Sequence, residues 1–237
     1  TQVSMGNQFW CMLTTFADVD CVGVNDHGQA ADQLGPYTQV SAGSWHTCAL
    51  TPAGAVDCWG ADWFGQAEDQ VGPYTQVSAS VWHSCALTPS GAVDCWGDNS
   101  DGQAEDQPGP YVQVSAGGYH DCALTPSGAV DCWGANDAGQ AADQIGPYTQ
   151  VNTGTVHTCA LTPAGAVDCW GDNGYGQAVD QTGPYGPYDA PPQTTIDSGP
   201  ADPSLGGVTF SFSSSEEGST FECQMDGGGW AACTGPQ

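Results

Sequence analysis

The sequence contains no lysine and no arginine among its 237 residues, whereas aspartate and glutamate together number 27. Only histidine side chains and the α-amino group can therefore carry positive charge. Nucleic-acid-binding proteins neutralise phosphates with Lys and Arg, and adhesion to anionic lipid uses the same residues. We expect no nucleic-acid partner and no membrane attachment, and the acidic field favours divalent cations, basic partners and solubility.

Membrane-spanning, leader and catalytic sequence signatures are missing as well. An 18-residue apolar run and a secretory leader are absent, so we expect no membrane insertion and interpret the chain as the processed, soluble part of a secreted or cell-surface product. Nucleophile-elbow, Walker and zincin signatures are also missing, and the acidic residues form no distinctive pocket motif. We therefore expect a protein that is not an enzyme and that has no organic cofactor.

What the chain does contain is a tandem repeat. The string Cys-Ala-Leu-Thr-Pro-x-Gly-Ala-Val-Asp-Cys-Trp-Gly starts at Cys48, Cys85, Cys122 and Cys159, always 37 residues apart, and a diverged copy occupies 11–23. A period of this length indicates a solenoid, a propeller or an array, in which neighbouring units cover one another's apolar faces. The predicted units are 1–37, 38–74, 75–111, 112–148 and 149–185.

Twelve cysteines recur in pairs that are ten residues apart. A fixed spacing and an even count predict disulfides formed in an oxidising compartment, because zinc sites bring cysteines together at shorter spacings. We therefore expect an extracellular or cell-surface location. The predicted pairs are Cys11 with Cys21, Cys48 with Cys58, Cys85 with Cys95, Cys122 with Cys132, Cys159 with Cys169, and Cys223 with Cys233.

Within a repeat, Pro52-Ala53-Gly54 predicts a tight hairpin turn, since Pro suits the first corner and Gly the left-handed position. Pairing about Ala53 places Leu50 opposite Val56 and Cys48 opposite Cys58. The upstream segment 35–43 predicts a third short strand. Thirty-four glycines, sixteen prolines and no long helical stripe complete an all-β prediction of about three strands per unit. The tryptophans after the second cysteine, Trp59 and its equivalents, are expected to pack between successive units.

The string His-Thr/Ser-Cys-Ala-Leu, followed by Gly-x-Val-x-Cys-Trp-Gly-x-Asn-x-x-Gly-Gln, resembles the regulator-of-chromosome-condensation repeat, best in 82–103 and 156–177. The resemblance implies a β-propeller. The short repeat is similar to bacterial secreted forms such as the propeller-type β-lactamase inhibitor proteins. The family usually builds seven blades, whereas this chain has five repeats, and its Leu-Gly after Gln is replaced by pairs such as Ala67-Glu68.

The number of blades in the ring stays open at this point. Residues 183–185 (Gly-Pro-Tyr) could supply the head that the first unit lacks and close a five-bladed ring. An open arc, or a ring completed by another chain, are the alternatives.

Beyond the repeats, 186–193 is a Pro-rich linker and 194–237 resembles the front half of a bacterial immunoglobulin-like module. Some forty residues are few for a β-sandwich, so strands from elsewhere are expected to complete it. The first functional hypothesis is therefore an extracellular structural protein that self-associates into a filament or surface array through this module. The alternative is a secreted binding module, an adhesin or a protein inhibitor, that uses a propeller face to hold a protein or glycan.

Three sets of residues are candidates for sites. The equivalent histidines of four repeats, His46, His83, His120 and His157, are interpreted as structural. Loop oxygens suited to calcium occur together in two repeats, and aromatic residues that differ between repeats are candidates for partner contact. The calcium candidates are Asp98, Asn99, Asp101, Asp172 and Asn173. The aromatic candidates are Trp45, Trp63, Phe64, Trp82, Tyr119 and Tyr175.

Overall fold

The computed structural model describes residues 2–182 and, for 194–198, 211–214, 221–223 and 231–233, the backbone of four short strands. The chain divides into two compact units, 1–184 and 185–237. No helix in these described ranges is long and apolar enough to cross a membrane.

The first unit consists of five antiparallel three-stranded sheets, which we call blades 1 to 5. Each blade has an inner, a middle and an outer strand in chain order. Blade 1 contains β1 (Gln2–Met5), β2 (Phe9–Leu13) and β3 (Val19–Gly23). Blade 2 contains β4 (Gln39–Ala42), β5 (His46–Leu50) and β6 (Val56–Gly60). Blade 3 contains β7 (Gln76–Ala79), β8 (His83–Leu87) and β9 (Val93–Gly97). Blade 4 contains β10 (Gln113–Ala116), β11 (His120–Leu124) and β12 (Val130–Gly134). Blade 5 contains β13 (Gln150–Thr153), β14 (His157–Leu161) and β15 (Val167–Gly171).

The hairpin of each blade has the register that the sequence predicts. In blade 2, Leu50 lies opposite Val56 and Cys48 opposite Cys58, and Gly54 adopts the left-handed conformation, with φ of 87°. Because the two cysteines face each other directly, a disulfide joins the middle and outer strands of every blade. The all-β prediction of five blades, each with three strands and one disulfide, is confirmed.

The five disulfides join the cysteines that the spacing of ten residues paired. In each bond the outer-strand cysteine is only partly buried, whereas the middle-strand cysteine is fully buried in blades 1 to 4. The bonds therefore reach from the core of a blade junction to the rim of the blade. The bonded pairs are Cys11 with Cys21, Cys48 with Cys58, Cys85 with Cys95, Cys122 with Cys132, and Cys159 with Cys169.

The inner strands contact one another in series, from β1 to β4, β7, β10 and β13. Each blade therefore has a front face toward the preceding blade and a rear face toward the next. Among the described residues no comparable contact joins β13 to β1. Within residues 2–182 the first and last blades are therefore not joined as the consecutive blades are, and the predicted closure through 183–185 lies outside the described residues.

The core lies between the blades. On the rear face of blade 2, Cys48, Leu50 and Val56 are buried against Val77 and Ala86 on the front face of blade 3. A tryptophan on the outer strand of blade 3 packs against the same cluster, and the other blade junctions repeat this arrangement with equivalent residues. The prediction that tryptophans pack between units is thus confirmed for Trp59, Trp96, Trp133 and Trp170.

In the second unit, β16 (Thr194–Ser198) pairs with β17 (Ser211–Ser214), and β18 (Phe221–Cys223) pairs with β19 (Ala231–Cys233), both antiparallel. The register of the second pair places Cys223 opposite Ala231. The sixth predicted disulfide, between Cys223 and Cys233, and the immunoglobulin-like module rest on side chains and segments outside the described residues, and they stay predictions.

Candidate functional site

One opening is bordered by all five blades. It lies where the inner strands turn into the middle strands, has a volume of about 530 Å³, and is lined by residues such as Gly43, Ser80, Gly117 and Gly154. Each blade contributes three consecutive residues to it, and none of these carries a titratable side chain. The opening is thus lined mostly by small residues and by backbone.

Immediately beside this opening, five aromatic rings form a contiguous cluster. Trp45 and Trp82, each next in sequence to a residue that lines the opening, stack with ring centroids 6.4 Å apart. The ring centroid of Trp63 lies 6.2 Å from that of Trp45 and 5.9 Å from that of Trp82, so the three indoles form a triangle. His27 meets Trp63 edge-on at 4.9 Å, and Phe64 meets Trp82 at 5.8 Å. We call these five residues the aromatic cluster.

The cluster is assembled from three consecutive blades. Trp45 and Trp82 precede the middle strands of blades 2 and 3, whereas His27, Trp63 and Phe64 belong to loops that follow the outer strands of blades 1 and 2. Trp63 and Phe64 are 54% and 53% exposed, although neither is needed to cover a blade junction. A joined set of half-exposed aromatic rings is typical of a binding surface, since buried packing does not account for it.

Of the six aromatic candidates, four therefore lie together: Trp45, Trp63, Phe64 and Trp82. Tyr119 occupies the equivalent place in blade 4 and borders a separate, smaller depression with Asp101, Asp137 and Asp172. Tyr175 is almost fully exposed. The sequence did not single out His27, because one histidine in a loop gives no sign of the tryptophans that it meets.

Four of the five calcium candidates act as turn caps. Asp98 accepts hydrogen bonds from the Ser100 hydroxyl and the Gln103 amide, both at 2.9 Å, and the side-chain oxygen of Asn99 accepts one from the backbone N–H of Ala104 at 2.9 Å. Asp172 and Asn173 make equivalent contacts in blade 5. Asp101 is exposed near Tyr119. These oxygens are partly committed to the loops, and calcium binding stays a prediction.

Three of the four equivalent histidines link one blade to the next. Nε2 of His46 lies 2.8 Å from the Ser84 hydroxyl of blade 3, and Nε2 of His120 lies 2.7 Å from the Thr158 hydroxyl of blade 5. His46, His83 and His120 are fully buried. The positions of these three rings agree with the structural interpretation, since each fills a blade junction and bonds across it.

One of these links is different. His83 of blade 3 meets a carboxylate instead of a hydroxyl, with Nε2 2.8 Å and 2.9 Å from the two oxygens of Asp121 in blade 4. Both side chains are fully buried. Burial raises the pKa of the Asp121 carboxyl, and the charge and hydrogen bond of His83, together with the Gly117 N–H, oppose that rise. Asp121 also accepts from the Gly117 N–H at 3.0 Å, so it is held on two sides.

His83, Cys85 and Asp121 come close enough together to be considered as a metal site. The Cys85 sulfur, however, is bonded to Cys95. A disulfide sulfur is not the thiolate that binds a metal, so this cluster is better described as a buried His–Asp pair beside a disulfide.

Protonation of His46 and His120 should destabilise the fold. Burial lowers the pKa of His46 to about 3 and that of His120 to about 4, with further lowering by the neighbouring histidines. Because the folded-state pKa lies below the unfolded value of about 6.5, the unfolded chain binds more protons at acid pH. Stability should be fully present above about pH 6.5 and fall as the pH drops toward 4 and 3.

The measurement is urea unfolding between pH 7 and 4 on the wild type and on His46→Gln, whose amide can still reach Ser84. We expect the variant to lose less stability on acidification than the wild type. Val71→Ala, at a loop residue that is 94% exposed and does not titrate, provides the control and should keep the wild-type pH dependence. Equal pH dependence in His46→Gln and the wild type would contradict this account.

A further link between blades was not foreseen from the sequence. The Gln39 side chain donates to the Val77 carbonyl and accepts from the Val77 N–H, both at 2.9 Å. Gln76 and Gln113 hold Val114 and Val151 of the following blades in the same way. We call this two-point contact the glutamine clamp. It satisfies backbone groups of the inner strands that have no strand partner on that side.

Several solved structures have folds similar to that of the five blades. Human WBSCR16 is 22% identical, with a TM-score of 0.63, over 72% of this chain and 61% of that one. The CRINKLY WD40 ectodomain of the Arabidopsis thaliana receptor kinase ACR4 is 26% identical, with a TM-score of 0.61, over 72% and 65%. Prp20p from Saccharomyces cerevisiae, studied with Gsp1p and histones, is 18% identical, with a TM-score of 0.59, over 72% and 57%. The chain thus spans about three fifths of the length of these structures.

Among curated protein sequences, none matches significantly. The model of the Regulator of chromosome condensation (RCC1) repeat does match, at residues 37–66, 74–103, 111–140 and 148–177, which is just over half of the chain. Each matched stretch runs from the tyrosine of the Gly-Pro-Tyr segment to the glutamine of the loop after the outer strand. With four such matches and a fold of three-stranded blades, this chain belongs to the RCC1-repeat family.

Proposed function

We propose that this chain is an extracellular binding module that holds a basic segment of a partner protein against the aromatic cluster. The observation that carries the proposal is the cluster itself, in which each of five aromatic rings beside the opening contacts at least one other, with Trp63 and Phe64 half exposed. Rigid aromatic side chains give large contact area at low entropic cost, and they dominate the energy of many interfaces.

The charge of the chain favours a cationic partner. The net charge is −27 and no side chain is a lysine or an arginine. Exposed carboxylates adjoin the cluster in sequence, Asp26 beside His27 and Asp62 beside Trp63. A guanidinium or ammonium group can lie over a tryptophan face while carboxylates neutralise it, and the acidic field would draw such a group toward the surface.

The disulfides support an extracellular location for the proposed binding module. Five are present in the described part of the chain, and disulfides form and persist in oxidising compartments. The absence of lysine and arginine also removes cleavage sites for trypsin-like proteases. A binding module exposed outside the cell would benefit from both properties.

Binding should depend on Trp63. We would titrate the protein with a short, tryptophan-free Arg–Gly peptide at physiological salt and follow the tryptophan fluorescence. Trp63→Ala should weaken binding more than about tenfold, because it removes the exposed ring at the centre of the cluster. Tyr175→Ala is the matched control, since Tyr175 is exposed and has no ring contact in the described residues. Its affinity should equal that of the wild type.

The same titration tests the class of partner. A Gln–Gly peptide of equal length should leave the fluorescence unchanged, and so should a soluble neutral glycan. Binding that Trp63→Ala leaves intact, or a response to the glycan alone, would overturn the proposal of a basic protein partner.

The structural role in a filament or surface array, joined through residues 194–237, is a second hypothesis. It rests on the resemblance of 194–237 to an immunoglobulin-like module, whose side chains lie outside the described residues. Its test is imaging of the secreted material by negative-stain electron microscopy with and without a calcium chelator. Isolated particles under both conditions would contradict it.

A further inference from the structure

A second opening, of about 410 Å³, lies where blades 4 and 5 meet. Tyr119 precedes the middle strand of blade 4 and Val156 precedes that of blade 5, and both line it. Three carboxylates complete its border, one from each of the loops that follow the outer strands of blades 3, 4 and 5. A pocket of this size suits a small ligand or a single side chain. We call it the acidic depression, and its carboxylates belong to Asp101, Asp137 and Asp172.

One side chain that two other blades carry is missing beside the acidic depression. In blades 3 and 5 an aspartate directly follows the outer strand, and its carboxylate accepts a hydrogen bond from the amide of Gln103 or Gln177. The equivalent residue of blade 4 is Ala135, which lines the depression. Its methyl group neither fills the space of a carboxylate nor accepts a hydrogen bond.

The missing carboxylate leaves Gln140 with an unused donor. Gln140 is 3% exposed and lines the acidic depression. Its side-chain oxygen accepts from the Ala138 N–H at 2.9 Å, as the equivalent glutamines do in blades 3 and 5, and this bond fixes the orientation of the amide. Its NH₂ group donates to no atom within 2–182. A buried donor without an acceptor is unfavourable, so a ligand that brings an acceptor would be stabilised there.

Two other glutamines lack the same partner but cannot serve a ligand. The NH₂ groups of Gln29 and Gln66 have no acceptor, and Val24 and Ala61 stand where the aspartate would be. Both nitrogen atoms are fully enclosed. Gln140 differs from them because it lines an opening.

The charge of the acidic depression favours a cation. Asp101 and Asp137 are exposed, and neither carboxylate accepts a hydrogen bond within 2–182. Asp172 accepts from the Gly174 N–H and from the Gln177 amide. The chain has no lysine or arginine that could neutralise these groups. Because like charges repel one another, a positively charged ligand would relieve the repulsion, whereas a neutral sugar would not.

An extended organic cation suits this arrangement better than a metal ion. Within the described ranges the three carboxylates do not gather at metal-ligand distances from one another. A guanidinium group spreads its charge over a plane and presents five N–H donors, so it can reach carboxylates that lie apart. It also stacks on aromatic rings. Tyr119, which is 39% exposed, offers such a ring at the border of the depression.

We infer that the acidic depression binds a guanidinium group on a short carbon chain that also carries a carbonyl. This is the chemistry of an arginine residue in a partner protein and of a free arginine derivative. The guanidinium lies against Tyr119 and the carboxylates, and the carbonyl accepts from the NH₂ group of Gln140. No residue of the aromatic cluster lines the depression, so the inference does not rest on the proposed function.

The test is a nuclear magnetic resonance titration of the isotope-labelled full chain with N-acetylarginine methylamide. We expect saturable shifts of the backbone amides of Tyr119, Ala135 and Ala138. N-acetylcitrulline methylamide, which has nearly the same shape and no charge, should cause none. Butylguanidinium, which lacks the carbonyl, should bind at least about threefold more weakly, because Gln140 then has no acceptor. Tighter binding of a blocked Gly-Arg-Gly peptide assigns the arginine to a partner protein, and equal binding assigns it to a free derivative.

Two variants test the residues of the acidic depression. Ala135→Asn places an uncharged acceptor where Asp98 and Asp172 stand in blades 3 and 5, so it should engage the free NH₂ group and weaken binding more than about fivefold. Asp137→Asn removes one exposed carboxylate and should weaken binding about threefold. Asp20→Asn is the matched control, since it removes the same charge from an exposed residue of blade 1 that does not line the depression. Its affinity should equal that of the wild type.

Several results would overturn the inference. Shifts confined to the aromatic cluster would place the guanidinium there instead, and equal weakening by Asp137→Asn and Asp20→Asn would show attraction to the net charge alone. Unchanged binding by Ala135→Asn would remove the role of Gln140. Shifts of the same amides with the citrulline derivative would remove the need for a cation. The absence of any shift up to the solubility limit of the arginine derivative would exclude the site.

Discussion

An Asp121→Ala variant should lose about 3 kcal/mol of unfolding free energy. Asp121 and His83 are fully buried and bonded to each other across the junction of blades 3 and 4. Removal of one partner leaves the other buried without compensation, which costs more than the pair itself contributes. Urea unfolding at pH 7, followed by tryptophan fluorescence, gives the difference.

The repeat supplies its own control. Ser84 and Thr158 hold the position of Asp121 in the neighbouring blades, and each meets its histidine through a hydroxyl. Asp121→Thr should therefore keep a bond to His83 and stay within about 1 kcal/mol of the wild type. Equal losses in the Ala and Thr variants would show that the carboxylate itself, rather than any hydrogen-bond partner, is required.

Removal of one disulfide should lower the free energy of unfolding by a similar amount. Cys122 and Cys132 close the hairpin of blade 4. When both are replaced by alanine, the unfolded chain is no longer restricted there, and the chain-entropy model gives a loss of about 3 kcal/mol for a loop of this size. The loss should appear as a lower urea midpoint. Ser127→Ala, at the exposed turn of the same hairpin, should leave the midpoint unchanged.

A thiol count on the wild type gives an independent check on the disulfides of the blades. The unfolded, unreduced wild type should react with no alkylating reagent in the five blades, since each of their cysteines is paired. If the double variant unfolds at the wild-type midpoint, the disulfide does not restrict the unfolded chain as proposed.

Local features of the fold were predictable because their causes are local. Pro52 and Gly54 determine the turn, the turn determines the register, and the register places Cys48 beside Cys58. The same reasoning gave the bonds of the other four blades, including the diverged first blade, where Cys21 faces Cys11 although the turn sequence differs. A repeat period needs no knowledge of tertiary contacts, so five blades could be counted from the sequence.

Contacts between blades were harder to predict. Gln39 lies 38 residues before Val77, and nothing near either residue indicates the clamp. Asp121 was overlooked for another reason: a carboxylate in a strand is normally exposed, and its burial follows only from His83 in the preceding blade. The aromatic cluster was identified in part, since four of its rings vary between repeats, but their contact with one another depends on how consecutive blades are rotated.

The glutamine clamp has a consequence for how such a chain can change in length. Its two partners always lie in consecutive repeats, 38 residues apart, and both belong to the part of the repeat that blades 2 to 5 share. Excision of one whole internal unit would bring a glutamine to face another valine of the same kind, with register and bonding preserved. Insertion or loss of a partial unit would break every bond at that junction. Duplication and deletion in this architecture are thus tolerated only in whole steps of 37 residues. The number of blades can therefore change during evolution while the structure of each blade stays the same.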